Sequence, residues 1–194
     1  MRPLRLFPVL VLLLAGPPLS PPFSRQADTT TTVVSPSGRS ISSTGKIYLQ
    51  RSKVRFEPAN SEEIDLFDFE QMKAIRLFPA DRIYFESRIT PARRFKALQE
   101  GWISAAAPDA EKRVFLTEGV VKEKPARLFL FILGEEGRRA YSLRWIAADG
   151  APLRIIYPAT EYETVIVDYD HYQTEPKESN LFEPPPGFLN VNPY

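Results

Sequence analysis

The 194-residue chain has no cysteine and a single histidine, His171. The first absence excludes a disulfide framework, a thiolate nucleophile and any cysteine-ligated metal. It also suits an oxidising compartment such as a bacterial periplasm, where stray thiols would be oxidised. The second leaves no histidine pair for zinc, and a lone histidine beside Asp170 reads as a surface residue. Charge of one sign is lacking too: 25 Lys and Arg stand against 24 Asp and Glu, a net of +1. That balance points to no nucleic-acid partner and no acidic substrate. G-x-S-x-G, Walker and G-x-G-x-x-G patterns are missing. The expectation is therefore a protein that is not an enzyme, with no catalytic residue, no cofactor and no metal.

Long hydrophobic runs are also scarce. The longest, in "MRPLRLFPVLVLLLAG", spans Leu6 to Ala15 behind Arg2 and Arg5. It is shorter than the ~20 residues a spanning helix needs and fits the apolar region of a secretory signal. Residues 1–27 are read as that signal, with an uncertain cleavage site, or as a retained anchor. Residues 28–44 are rich in Ser, Thr and Pro. They read as a spacer, or as a loosely held first strand at Thr30 to Val34. The folded domain is placed at residues 45–191.

What is present is β signal. Alternation runs through "GKIYLQR", "KVRFE", "KAIRLF" and "RIYFE", with a phase shift after Leu66 in "EIDLFDFE" that suggests a bulge or turn. It resumes in "RVFLTEGVV", "ARLFLFILG", "AYSLRWIAAD", "PLRIIYP" and "EYETVIVDYDHYQ". Asp149-Gly150 marks a hairpin turn. Between the two sets, "TPARRFKALQEG" has Thr90 as N-cap, Pro91 at the first helical position and Gly101 just past the end. A second helical turn is expected in "PDAEKR". The fold class is mainly β, of the α+β kind: a curved antiparallel sheet with one or two short helices, either closing into a barrel or leaving a cleft.

One face of these strands is apolar. Early in the domain it carries Ile47, Leu49, Phe56, Leu66, Ile75 and Phe85. Later it carries Phe129, then Tyr141, Leu143 and Trp145 opposed to Ser142 and Arg144. Ile155, Val165 and Val167 complete it. This face either lines a cavity, which would make these residues a ligand site, or packs dry against the helix. Phe95 and Leu98, three apart on the helix, would close the mouth of such a cavity. "EYE" at 161–163 and "DYD" at 168–170 read as solvated strand faces. The basic cluster "ARRFK" at 92–96 reads either as the wet side of a helix or as a contact for anionic headgroups.

Several stretches resemble the LolA-like superfamily of lipoprotein carriers. "GKIYLQRSKVRFEP" and "DFEQMKAIRLFPADRIYFE" look like its early strand pairs. "NLFEPPPGFLNV" resembles its F-x-x-P-x-G closing segment, here Phe182, Pro185 and Gly187. Trp145, Gly150, Pro152 and Arg154 match a W-x-x-x-x-G-x-P-x-R pattern of a bacterial domain of unknown function in that superfamily. The resemblance implies a half-closed β-barrel around an apolar cavity with short helices as a lid. It further implies that Arg51, matching an early-strand arginine of such carriers, bonds the lid backbone and gates the cavity. The function it implies is a periplasmic carrier or binder of lipid or lipoprotein acyl chains, tethered to the membrane if the signal is retained. The alternative is a non-transporting envelope sensor or interaction module. Expected partners are a lipid or acylated lipoprotein and an envelope donor or acceptor protein, with the chain a monomer.

Overall fold

A computed structural model describes residues 24–102, 111–135, 138–175 and 179–192. The strands are β1 Ser24–Val34, β2 Ser40–Gln50, β3 Lys53–Pro58, β4 Ile64–Asp68, β5 Lys73–Phe78 and β6 Ile83–Arg88. After helix α1, Pro91–Gln99, come β7 Glu111–Val121, β8 Lys124–Glu135, β9 Arg138–Ala147, β10 Pro152–Pro158, β11 Thr164–Glu175 and β12 Leu189–Asn190. All twelve belong to one sheet, ordered β12-β6-β5-β4-β3-β2-β1-β11-β10-β9-β8-β7. Every neighbouring pair is antiparallel except β12 with β6. The sheet is mainly β with one short α-helix among the described residues, and it is open: no ladder joins β12 to β7.

Of the two readings of residues 28–44, the strand expected at Thr30 to Val34 is present. Residues 28–44 form most of β1 and the first part of β2, at the middle of the sheet, and Ser24–Ala27 also belong to β1. The run of Thr and Val is polar, yet its side chains are β-branched and favour the extended backbone. β1 is paired on both sides, with β11 and with β2. Its ladders replace the apolar density it lacks, and Thr29 Oγ1 donates to the Gly45 carbonyl at 3.2 Å.

Of the bulge or turn expected after Leu66, no bulge is found, and a turn follows β4 at residues 69–72. The β3–β4 and β4–β5 registers are unbroken. Instead both faces of β4 are covered. Phe67 joins the main core under α1, while Leu66, Ile75 and Leu77 form a second cluster with Tyr84 and Phe188. The closing segment lies over that second cluster: Phe182 is buried, Arg55 donates to the Leu181 carbonyl at 3.0 Å, and β12 pairs with β6.

The helix signals stand where they were expected. Thr90 Oγ1 accepts from the Arg93 amide at 3.2 Å, and Pro91 opens the helix. Gly101 follows at φ 72, and a Cβ there would come within 2.8 Å of Ile155. Asp149-Gly150 makes the β9–β10 turn, with Gly150 at φ 85 and the Ala147 amide bonded to the Ala151 carbonyl at 2.9 Å. Glu111–Arg113 of the second expected helical turn begin β7 instead, and Pro108–Ala110 lie outside the described residues. No helix of the described residues is long and apolar enough to cross a membrane.

Candidate functional site

A cavity of about 840 Å³ opens between α1 and the β1–β6 half of the sheet. Its sheet wall is built by strand alternation, which sends every second side chain to the same face. That wall holds Ile47, Phe56, Phe67, Phe78, Phe85 and Val167 together with the polar Thr29, Thr31, Ser43, Asp65 and Arg76, and Trp102 also lines the cavity. Phe56 stacks on Trp102 with centroids 6.0 Å apart, and Phe67 lies 6.1 Å from the same indole.

The helix wall is polar. Thr90, Arg93, Lys96 and Glu100 line the cavity at helical spacing. α1 therefore turns its apolar side away: Ala97 and Leu98 are buried in the main core, and Phe95 packs against it. Phe95 and Leu98 thus anchor the helix rather than face the cavity. Arg93 lies between two rings, 4.6 Å from the Phe67 centroid and 4.7 Å from Trp102, and its guanidinium donates to Glu100 at 3.2 Å.

Beneath the helix C-terminus is a buried polar network. An α-helix leaves its last carbonyls without partners. Here the sheet supplies donors: Arg144 donates to the Leu98 carbonyl at 2.6 Å, and the Tyr169 hydroxyl donates to the Glu100 carbonyl at 3.0 Å. Tyr157 donates to the Glu100 carboxylate at 2.9 Å. Arg144 also donates to Ser142 Oγ at 3.0 Å and sits 4.1 Å from the Phe131 centroid. Burial pushes the Tyr157 and Tyr169 hydroxyls well above the ordinary phenol range, and the nearby Glu100 carboxylate adds to it. Burial lowers Arg144 from the ordinary guanidinium value.

The expected lining residues divide. Ile47, Phe56, Phe85, Ile75 and Val167 border the cavity, with Phe85 37% exposed. Phe129, Ile155 and Val165 lie in the main core, with Leu49 packed against it. Leu66 is on the opposite face, as is most of Ile75's packing. β9 is inverted relative to the sequence reading. Ser142 and Arg144 are the buried pair, 1% and 8% exposed, whereas Tyr141 is 51% exposed. Leu143 shares the face of Tyr141, and Trp145 packs with Val121, Ala126 and Leu153 in a third cluster. Arg51 is exposed at φ 54 in the β2–β3 turn. The arginine that reaches the helix backbone is Arg144, which the alternation had assigned to the wet face. Only a polar pair among strongly apolar strands hinted at it.

Of the other polar groups weighed in the sequence, His171 is exposed with its Nδ1 2.8 Å from Asp28, and Asp168 pairs with Arg154 at 2.7 Å. No cluster of three or more His, Asp or Glu able to hold a metal occurs among the described residues.

No family model and no curated protein matches the chain. Solved structures do. A LolA superfamily protein from Nitrosomonas europaea is similar over 84% of this chain and 91% of that one, with TM-score 0.49 and 10% identity. A DUF1329 family protein from Desulfovibrio piger is similar over 84% and 91%, with TM-score 0.47 and 12% identity. MucB, solved also in complex with MucA(peri), is similar over 82% of this chain and 56% of its own, with TM-score 0.44 and 16% identity. These likenesses describe strand arrangement alone.

Proposed function

We propose that the protein binds the acyl chain of a lipid or lipoprotein in the cavity under α1, as a carrier in the bacterial periplasm. The open sheet serves as a half-barrel wall and α1 as its lid. The single observation that carries this reading is the 840 Å³ cavity, whose sheet wall includes Ile47, Phe56, Phe67, Phe78 and Phe85. Its size falls within the ~300–1,000 Å³ of small-ligand sites. Each methylene removed from water contributes about 0.8 kcal/mol, so ten would supply about 8 kcal/mol. That exceeds the lower end, ~4 kcal/mol, of the cost of association. Lid fixation falls to Arg144 in this reading, because it bonds the helix end and Arg51 stands in a turn.

The test is native mass spectrometry of the full chain purified without detergent, followed by organic extraction and titration with a fluorescent fatty acid. A stoichiometric acyl adduct and saturable uptake support the reading. Ala74→Trp should reduce uptake about ten-fold or more by filling the cavity, since Ala74 lines it. A clean apo mass with no uptake would sink it.

A second reading, an envelope interaction module, is favoured by one observation. Among the described residues the edge strand β7 has one side unpaired, and it exposes Phe115, Leu116 and Val120. Partner capture that survives Ala74→Trp would favour it.

A further inference from the structure

We infer that the protein docks on an anionic lipid bilayer through the outer face of β7–β11, the face turned away from α1. The inference does not depend on what the cavity holds. Residues opposite each other in an antiparallel ladder point to the same side, so register tells which side chains lie there. In β8 and β9, Phe129, Phe131, Ser142 and Arg144 turn to the core under α1. Their neighbours along each strand therefore turn outward. One outward row runs Val114–Leu130–Leu143–Ile156–Ile166, an aliphatic side chain from each of five adjacent strands. At ~4.8 Å between strands the row is about 20 Å long. Ile132 and Tyr141 flank it on one side, Leu128 and Trp145 on the other. The five row residues are half-buried, and no described element lies over them. α1 meets β8 and β9 from the core side, and the closing segment lies over the β3–β6 region.

The free charges of this face have one sign. Lys112, Lys124 and Arg139 fall on it by register and alternation, are exposed, and have no ion pair among the described residues. Lys112 and Arg139 lie beyond the row on the Tyr141 side, Lys124 on the Trp145 side. Among the described side chains of β7–β9 no carboxylate shares the face, because Glu111 and Glu118 are in register with Leu133 and Arg127 of the core side. Asp168 and Asp170 of β11 do share it, and each is ion-paired, with Arg154 and Lys122. An aliphatic centre with unpaired cations on both sides fits a bilayer of anionic lipids, phosphates at the cations and acyl chains at the row. Tyr141 and Trp145 flank the row, and such half-polar rings are frequent at the membrane interface. A second copy laid face to face would bring cations to the shared rim with no free carboxylate to meet them, so these observations favour the bilayer.

The experiment is co-sedimentation of the full chain with vesicles of phosphatidylglycerol and phosphatidylethanolamine, and with vesicles of phosphatidylcholine. The anionic vesicles should be bound about ten-fold tighter or more, with the difference shrinking as salt rises from about 50 to 500 mM. Lys112→Glu with Lys124→Glu and Arg139→Glu should weaken that binding about ten-fold or more and leave the melting temperature unchanged, since all three residues are exposed. A nitroxide in the upper acyl chain should quench Trp145, read in Trp102→Phe, and spare Trp102, read in Trp145→Phe. Binding that survives the triple substitution, as insertion of the apolar run Leu6–Ala15 would give, overturns the inference. So does quenching of Trp102 in place of Trp145, or no binding to either kind of vesicle. A dimer in sedimentation velocity that Leu143→Glu makes monomeric would assign the face to a second copy and overturn it too. Acyl uptake by the cavity is read separately, and each of these outcomes leaves it standing.

Discussion

Arg144 brings a positive charge to the interior, and its donors meet a helix carbonyl, a serine hydroxyl and an aromatic face. A buried cation is tolerated only where such groups replace its water. Arg144→Ala removes the donors and leaves a void, so it should cost about 2–4 kcal/mol in urea unfolding. Arg144→Met keeps most of the volume and should cost about half as much; equal losses would show that the void adds nothing to the loss of the donors. Tyr157 answers a different question. Its hydroxyl titrates above the unfolded value of about 10 because it is buried and faces Glu100. Above that pH the unfolded chain sheds this proton and the folded chain keeps it. The contribution is therefore complete below pH ~10 and declines as pH rises past it. Tyr157→Phe should flatten that alkaline decline, measured as unfolding free energy between about pH 9 and 11. A slope unchanged by the substitution would assign the decline to other groups.

At the scale of elements, α1 was legible because its signals are local. Thr90 caps, Pro91 starts and Gly101 ends the helix, each through its own backbone chemistry. Thr90→Ala should lower stability by about 1 kcal/mol. It should also loosen the helix start selectively, seen as faster amide exchange at Arg93 while the β9–β11 core amides are unchanged. β1 was legible only as an alternative, a loosely held strand at Thr30 to Val34, because its stability comes from partners far away in the chain. "TTTTVV" carries β-branching but little apolar surface, and nothing nearby announces that strands will pair on both sides of it. A chain beginning at residue 45 should therefore lack cooperative unfolding, whereas one beginning at residue 24 should retain it. Cooperative melting of the shorter chain would contradict a central role for β1. β9 and β4 misled for a related reason. Alternation shows that two faces differ, but not which face is inside. In β9 the helix end requires donors, so Ser142 and Arg144 turn inward. In β4 both faces are covered, so Leu66 and Phe67 are both buried although adjacent.

For the whole molecule, the mainly β architecture could be read from the strand pattern, and the aromatic composition of the sheet wall from its alternation. The polar wall of the cavity could not, because its orientation depends on how α1 is rolled. That roll is set by Phe95, Ala97 and Leu98 meeting strands that follow the helix in sequence. The sheet order has a further consequence. β1 to β6 and β7 to β11 are two successive runs of strands in which each strand pairs with its sequence neighbour. A single seam, β1 against β11, joins the two runs. Gln26 and Gln173, bonded across that seam, are 147 positions apart. Contacts of such separation are entropically expensive to find and slow to form. While the chain emerges from its N-terminus, β1 can pair with β2 but must wait, one side bare, for the last long strand. Folding should thus finish only after residue 175 is released, in a slow phase that tracks closure of this seam. Until then the protein is two half-sheets with their joining edges exposed, the state most open to chaperones and to mispairing.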